Sequence, residues 1–243
     1  MPNKNMESVK GKNVLVIGAT GTIGRQTAKM LAASGANIFI TGRNSEKLEA
    51  TAAELKLPAN RVFVSDITNH AQTEQVAAAI HAQVAAIDIL VIISGIGIIK
   101  PLETLTVEDF EKTLSVNLTG PFVILKHFLP AMKAQKKGLI INIPGILGKV
   151  TMAGAAAYSA SKYGLTGMMQ SIREELKRTE IRITNLFLGG VDSAFWDTID
   201  LRVQRDKMIV AEEAAKAIWF LCQQPASGVV SEMVLQPFNH QAI

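Results

Sequence analysis

Three observations predict an α/β fold with one doubly wound parallel sheet and helices on both of its faces. Apolar runs of strand length alternate with longer helical patterns from residue 13 to residue 236, and strict alternation implies parallel strands joined by right-handed crossovers. The runs are apolar at almost every position rather than at every second one, as strands covered on both sides must be. Small residues stand at nearly every strand exit, and the carboxyl ends of such strands are where a sheet of this kind binds its ligands.

The elements follow in order. The first strand, Asn13–Ile17, runs into the turn Gly18–Gly24, which opens helix Ile23–Ser34. Strand Asn37–Thr41 and helix Ser45–Leu55 come next, then strand Arg61–Val64 and helix His70–Val84. The fourth strand, Asp88–Ile93, precedes a helical pattern over Thr106–Ala134 that Gly120-Pro121 should break. Strand Gly138–Ile143, helix Ala156–Arg178, strand Arg182–Leu188, helix Ala211–Cys222 and strand Met233–Gln236 complete the alternation. No linker, composition shift or repeat divides the chain. One domain over residues 1–243 is expected, with a flexible polar segment at 1–10 and a loop over the ligand site at 190–207.

Composition narrows the function classes. Hydrophobic residues make up 48% of the chain and aromatics only 5%, which is enough for a large aliphatic core. The 25 basic and 21 acidic residues are scattered, so the +4 balance offers no stripe for a nucleic acid. Lys133, Lys136 and Lys137 suit a helix C-terminus. Cys222 is the single cysteine and reads as a small core residue, so no internal disulfide is expected. His70, His81, His127 and His240 lack metal-ligand spacing, and no metal is expected. With no apolar run long enough for a membrane and no leader pattern, the chain reads as cytoplasmic.

Two motifs carry the chemistry. In Gly18-Ala19-Thr20-Gly21-Thr22-Ile23-Gly24, glycines let the backbone turn tightly against a pyrophosphate, and the helix N-terminus offers N–H donors to it. Tyr158 and Lys162 stand four residues apart at the start of a helix, on one face. A phenol titrates near ~10, and a neighbouring cation favours the phenolate. The pair is therefore a candidate proton donor or acceptor for a carbonyl or an alcohol.

Further residues set the cofactor. A dinucleotide fold that prefers NAD places Asp or Glu at the end of the second strand, to accept from ribose hydroxyls. Gly42 leaves that place empty. Arg43, with Arg25 as a second candidate, suits a 2′-phosphate, so NADP(H) is expected over NAD(H). Asp66 either accepts from an adenine amino group or caps the next helix. Asn117 either bends its helix and holds a water near Lys162 or is an interface residue.

Tyr158-x-x-x-Lys162, Val116-Asn117-Leu118-Thr119-Gly120, Asp66 in Ser65-Asp66-Ile67-Thr68 and the glycine turn together resemble the short-chain dehydrogenase/reductase family over nearly the whole chain. The resemblance implies a Rossmann-like domain and hydride transfer between a nicotinamide and a small ketone, aldehyde or secondary alcohol. Tyr158 is then the general acid/base. Lys162 binds the nicotinamide ribose and lowers the tyrosine pKa, and Asn117 anchors a water in the proton relay. Gly18, Thr20, Gly21, Thr22, Ile23, Gly24, Arg43, Asp66, Ile67, Ser94, Gly95, Gly189, Val191 and Ser193 would line the cofactor with Tyr158 and Lys162. Similar members are commonly homodimers or homotetramers joined through the helices at Thr106–Ala134 and Ala156–Arg178.

The chain departs from the family pattern at several places. The catalytic serine expected thirteen residues before Tyr158 is Gly145, and a donor of that kind is worth ~2.7–4 kcal/mol in the transition state. Neither Thr151 nor Ser94 is an evident replacement, and Gly145→Ser is expected to raise turnover if chemistry is the task. The glycine spacing is Gly-x-x-Gly-x-x-Gly, as in longer members. Asn-Asn-Ala-Gly after the fourth strand is Ile92-Ile93-Ser94-Gly95, Ile17 replaces a threonine, and Leu188-Gly189 replaces Pro-Gly. Polar contacts have given way to apolar ones, and an alternative reading is a cofactor-binding protein with little catalysis. Phe195 and Trp196 suggest a partly apolar substrate loop. Arg202 and Arg205 are candidates to hold an acidic substrate or are simply solvated.

Overall fold

The computed structural model describes residues 7–225 and 227–239. Seven parallel strands form one sheet: β1 (Asn13–Ile17), β2 (Asn37–Gly42), β3 (Val62–Val64), β4 (Ile89–Ile92), β5 (Lys137–Asn142), β6 (Glu180–Leu188) and β7 (Glu232–Leu235). Their order is β3-β2-β1-β4-β5-β6-β7. The order reverses between β1 and β4, where Ile17 pairs with Ile92 on one side and Thr41 on the other. That reversal opens a crevice above the strand ends, and the ligand site lies there.

Burial explains the apolar strands. Val14 and Val16 face one core layer with Leu31, Leu48 and Ile218, while Leu15 and Ile17 face the other with Ile80, Phe128 and Met169. Helices α1 (Thr22–Ala33), α2 (Ser45–Leu55) and α7 (Ala211–Leu221) cover the first layer. Helices α3 (His70–His81), α5 (Gly120–Gln135) and α6 (Ala156–Glu175) cover the second. Both faces of the central strands are therefore closed, whereas Val64 on edge strand β3 and Val234 on edge strand β7 remain exposed.

The break expected at Gly120-Pro121 takes a different form. Helix α4 (Val107–Leu114) passes through a π-helical turn, Ser115–Thr119, into α5, with Pro121 at the first turn of α5. The helical path continues, because a proline near a helix start needs no N–H partner. α4 starts with a capping box in which Thr106 accepts from the Asp109 N–H. His240 lies outside the described residues, as do residues 1–6. Within the rest of the N-terminal segment, Val9 is buried in the core and Glu7 pairs with Arg182 at 3.3 Å. No described helix is long and apolar enough to cross a membrane.

Candidate active site

One cavity of about 1490 Å³ lies above the carboxyl ends of β1 to β6. Single small-molecule sites run to roughly 300–1,000 Å³, so this space has room for two ligands. The glycine turn lies at one part of its wall and Tyr158 and Lys162 at another.

The turn is built for an anion. Gly18 has φ +92°, and a Cβ there would meet the Ser94 backbone at 2.9 Å. A Cβ on Gly24 would lie 2.1 Å from the Gly18 carbonyl oxygen, so the turn closes only with glycine at 18 and 24. Gly21 caps α1 with no side chain bonded to the first-turn amides. Those amides and the helix dipole are available to a pyrophosphate. The Ser94 hydroxyl is buried beside the turn without a partner, as expected of a group that a bound molecule satisfies. The residues present thus fit a dinucleotide.

At β2, the absence of an acidic residue is steric as well as chemical. A Cβ on Gly42 would fall 2.5 Å from the Thr20 side chain, so Thr20 fills the place an Asp or Glu would need. Arg43 lines the cavity and is exposed. Arg25 is engaged elsewhere: its guanidinium donates to Glu54 at 2.7 Å and 2.6 Å, and Lys29 joins the same carboxylate at 3.0 Å.

Asp66 lines the cavity after β3, and one of its oxygens accepts from the Thr68 N–H and hydroxyl at 2.9 and 2.7 Å. Those bonds, with a smaller contribution from Arg43, hold its carboxyl below the usual range. It closes a turn rather than capping α3, whose cap is Asn69. Ile67 lines the cavity and packs on Gly120.

Tyr158 and Lys162 lie on the first turns of α6 and share one face. The Lys162 ammonium sits 5.5 Å from the Tyr158 ring centroid and donates to the Ile143 carbonyl at 3.2 Å. Lys162 is 4% exposed, and burial pulls its pKa down to about 8. The expected lowering of the phenol does not appear. Burial alone pushes Tyr158 above its ordinary value.

Asn117 is fully buried in the π-helical turn, a feature frequent at functional sites. Its Oδ1 accepts from Ile96 N–H at 2.9 Å, and its amide nitrogen donates to Ile96 O at 2.9 Å and Ser161 Oγ at 3.0 Å. It therefore clasps the loop after β4 to the helix that carries Tyr158. Ser161, whose hydroxyl donates to Tyr158 O at 2.7 Å, is the residue that sequence reasoning passed over. Its place between Tyr158 and Lys162 was the available signal. A Cβ on Gly95 would come within 3.3 Å of both Asn117 Oδ1 and Lys162 Nζ, so the three are neighbours.

Gly145 holds the missing serine's place in an unusual way. Its φ is +69° and its ψ 173°, a region that is essentially glycine-only. A Cβ there would point to within 3.8 Å of the Tyr158 hydroxyl. The direction suits a serine, but the backbone resists one.

The loop after β6 closes the remaining side. Gly189 is pressed against Pro237, and Val191 is buried. The Ser193 hydroxyl donates to Val191 O at 3.3 Å, and Ala194 N–H reaches Thr22 Oγ1 at 3.5 Å. Arg205 is no substrate anchor: it donates to Asp192 at 2.6 Å, Asp197 at 2.7 Å and Ser193 O at 3.0 Å. Arg202 lines the cavity from an exposed position. Among the described residues no cluster of three His, Cys, Asp or Glu could hold a metal ion.

Residues 12–203 match the family model described as short chain dehydrogenase. The chain belongs to the short-chain dehydrogenase family. An uncharacterized oxidoreductase of Staphylococcus epidermidis is 30% identical, over 96% of this chain and all of that protein. A 3-oxoacyl-[acyl-carrier-protein] reductase of Aquifex aeolicus is 29% identical, over 93% of this chain and 96% of that one. Among solved structures, a metagenomic short-chain oxidoreductase in complex with NADP aligns with TM-score 0.81 at 31% identity, covering 95% of this chain and 99% of that one. Membership in this dehydrogenase family makes the chain an oxidoreductase with a Rossmann-like, nicotinamide-dinucleotide-binding fold.

Proposed function

We propose that this protein is an NADP(H)-dependent oxidoreductase that moves a hydride between the nicotinamide and a small carbonyl or secondary alcohol. The observation that carries the reading is one cavity holding the Tyr158 hydroxyl, the Lys162 ammonium and the bare first turn of α1. The dinucleotide, when bound, supplies or accepts the hydride. Tyr158 gives its proton to the carbonyl oxygen in reduction and takes one in oxidation. Lys162, whose ammonium lies 5.5 Å from the Tyr158 ring centroid, would hydrogen-bond ribose hydroxyls of the bound dinucleotide. Asn117 fixes the loop after β4 against α6, so the acid is held in place. NADP(H) is favoured because Gly42 offers no carboxylate to ribose hydroxyls and Arg43 lines the cavity, where it can meet a 2′-phosphate. The relative solved with NADP is consistent with that.

Gly145 favours a second reading: a protein that holds NADP(H) with weak turnover, because no side-chain hydroxyl stands beside Tyr158 at that position. Fluorescence titration with NADPH and NADH, followed by NADPH oxidation over a broad carbonyl panel, separates the two. Micromolar NADPH binding with turnover supports the first reading, and binding without turnover supports the second. Absence of binding ends both. Exposed Phe110, Phe122 and Tyr163 on α4, α5 and α6 support self-association as a homodimer or homotetramer, which light scattering would measure.

A further inference from the structure

We propose that the substrate is a carbonyl compound with an apolar body, alkyl or aromatic, and that Phe195 seated against Gly97 selects it. This inference rests on the oxidoreductase reading above. Around Tyr158 the cavity is walled by the loops after β4, β5 and β6, whose lining side chains are mostly apolar, Ile96, Ile99, Ile146, Val150 and Phe195 among them, with Ser94 and Thr151 the polar ones on the first two loops. A sugar or a polyhydroxylated ketone would place most of its hydroxyls against hydrocarbon, with too few polar side chains there to replace their water partners. A small 2-oxo acid would need a cation beside the carbonyl. Arg205 is held by two aspartates and Lys162 donates to Ile143, so such an acid would have to draw on Arg202 or Lys207, which line the cavity from exposed positions, and titration with pyruvate reads that.

Phe195 gives the wall its shape. Its ring centroid lies 5.7 Å from that of Tyr158, tilted by 56°, and 5.2 Å from that of Trp196 in an edge contact. A Cβ on residue 97 would fall 2.2 Å from Phe195 Cζ and 3.0 Å from Ile199 Cδ1. Glycine at 97 is therefore the notch that admits the ring. Trp196 is fixed by its N–H on Val191 O at 3.0 Å, and Arg205 ties the loop to Asp192 and Asp197. The aromatic ring is thus presented to the acid from a braced loop, where it can pack against the substituents of a bound carbonyl compound.

The test uses the protein loaded with NADP+, so that ketones bind without turning over. Octan-2-one, acetophenone, dihydroxyacetone and pyruvate are titrated by calorimetry. The two apolar ketones should bind at least about tenfold more tightly than the two polar ones. Phe195→Ala should cut that preference about fivefold or more while NADP+ affinity stays within about twofold, and Gly97→Ala, which displaces the ring, should do the same. Equal or tighter binding of dihydroxyacetone or pyruvate overturns the inference, as does failure of both apolar ketones to bind the loaded protein. An unchanged preference in both variants removes Phe195 from it. Tight apolar binding with no NADPH oxidation would keep the apolar selection by Phe195 but sink the oxidoreductase reading, and with it the bound ketone's place as substrate.

Discussion

Thr20, Arg43, Asn44 and Asp66 line the cavity where β1, β2 and β3 end, whereas Ile96, Ile146, Leu147 and Phe195 line it where β4, β5 and β6 end. The first half keeps polar groups and a glycine turn with no room for a side chain at 18 or 24. The second half is richer in hydrocarbon, with Ser94, Thr151, Ser193 and Gln204 as polar lining beside Tyr158. Phosphate recognition depends on backbone N–H groups at fixed positions, so that half tolerates little change. Holding a neutral carbonyl depends on shape and on one proton donor, so the other half can drift in polarity without losing the fold. The two halves should therefore fail separately when mutated.

The largest separation is expected from Tyr158→Phe. Removing the proton donor should lower kcat by ~10²–10⁴, while NADPH affinity stays within about twofold. Steady-state NADPH oxidation paired with a fluorescence titration reads both. A parallel loss of cofactor affinity would mean that the halves are coupled through α6 and that the comparison is wrong.

Arg43→Ala strikes the opposite half. Charge-assisted hydrogen bonds contribute about 1.5–3 kcal/mol, so NADPH should bind roughly 10- to 100-fold more weakly and NADH should be unaffected. The ratio of the two dissociation constants is the decisive quantity, since a general loss of folding would move both. An unchanged ratio would return the selection to backbone groups of the turn.

How far the sequence reached follows the same division. β1 and α2 fall at their expected bounds, and the other strands within two residues, because double-sided burial writes itself as unbroken apolar runs. The glycine turn was legible because close backbone approach demands glycine. The clasp of Asn117 on Ile96 and Ser161 was not, since it joins residues 21 and 44 positions apart. The fate of Arg25 was hidden for the same reason, its partner Glu54 being on another helix. Helical spacing places a cation near the Tyr158 phenol but says nothing of burial, which sets the direction of the shift in this structure.

Gly145 sharpens the comparison from the chemical side. Any side chain at φ +69°, ψ 173° carries strain of order 1–3 kcal/mol. Gly145→Ala and Gly145→Ser should therefore both lower Tm by several degrees, at about 2–4 °C per kcal/mol for a chain of this size. The hydroxyl is isolated by comparing them with each other rather than with the parent: serine should exceed alanine about tenfold in kcat, because a Cβ at 145 lies 3.8 Å from the Tyr158 hydroxyl and brings an Oγ on it within reach of the same oxygen. Equal turnover in the two would show that this half has no use for a second donor.

The smallest effect belongs to Lys162, and it lies in stability rather than rate. Its folded pKa of about 8 lies below the ordinary lysine value of 10.5, so the fold disfavours its charge. Below pH 8 the buried ammonium costs the folded state about 3 kcal/mol, at about 1.4 kcal/mol for every pH unit that separates the two values. Between pH 8 and 10.5 the unfolded chain binds more protons than the folded one, so stability from this residue rises with pH. Lys162→Met removes that cost but leaves the Ile143 carbonyl without its donor, a loss of roughly 1 kcal/mol. At pH 7 the variant without cofactor should therefore melt a few degrees above the parent, and the gap should close as pH approaches 10. Taking the difference cancels every other titrating group. A variant that melts below the parent at pH 7 would mean that the ammonium is better solvated than its burial implies, and that the hydrocarbon half is wetter than the side chains around Tyr158 suggest.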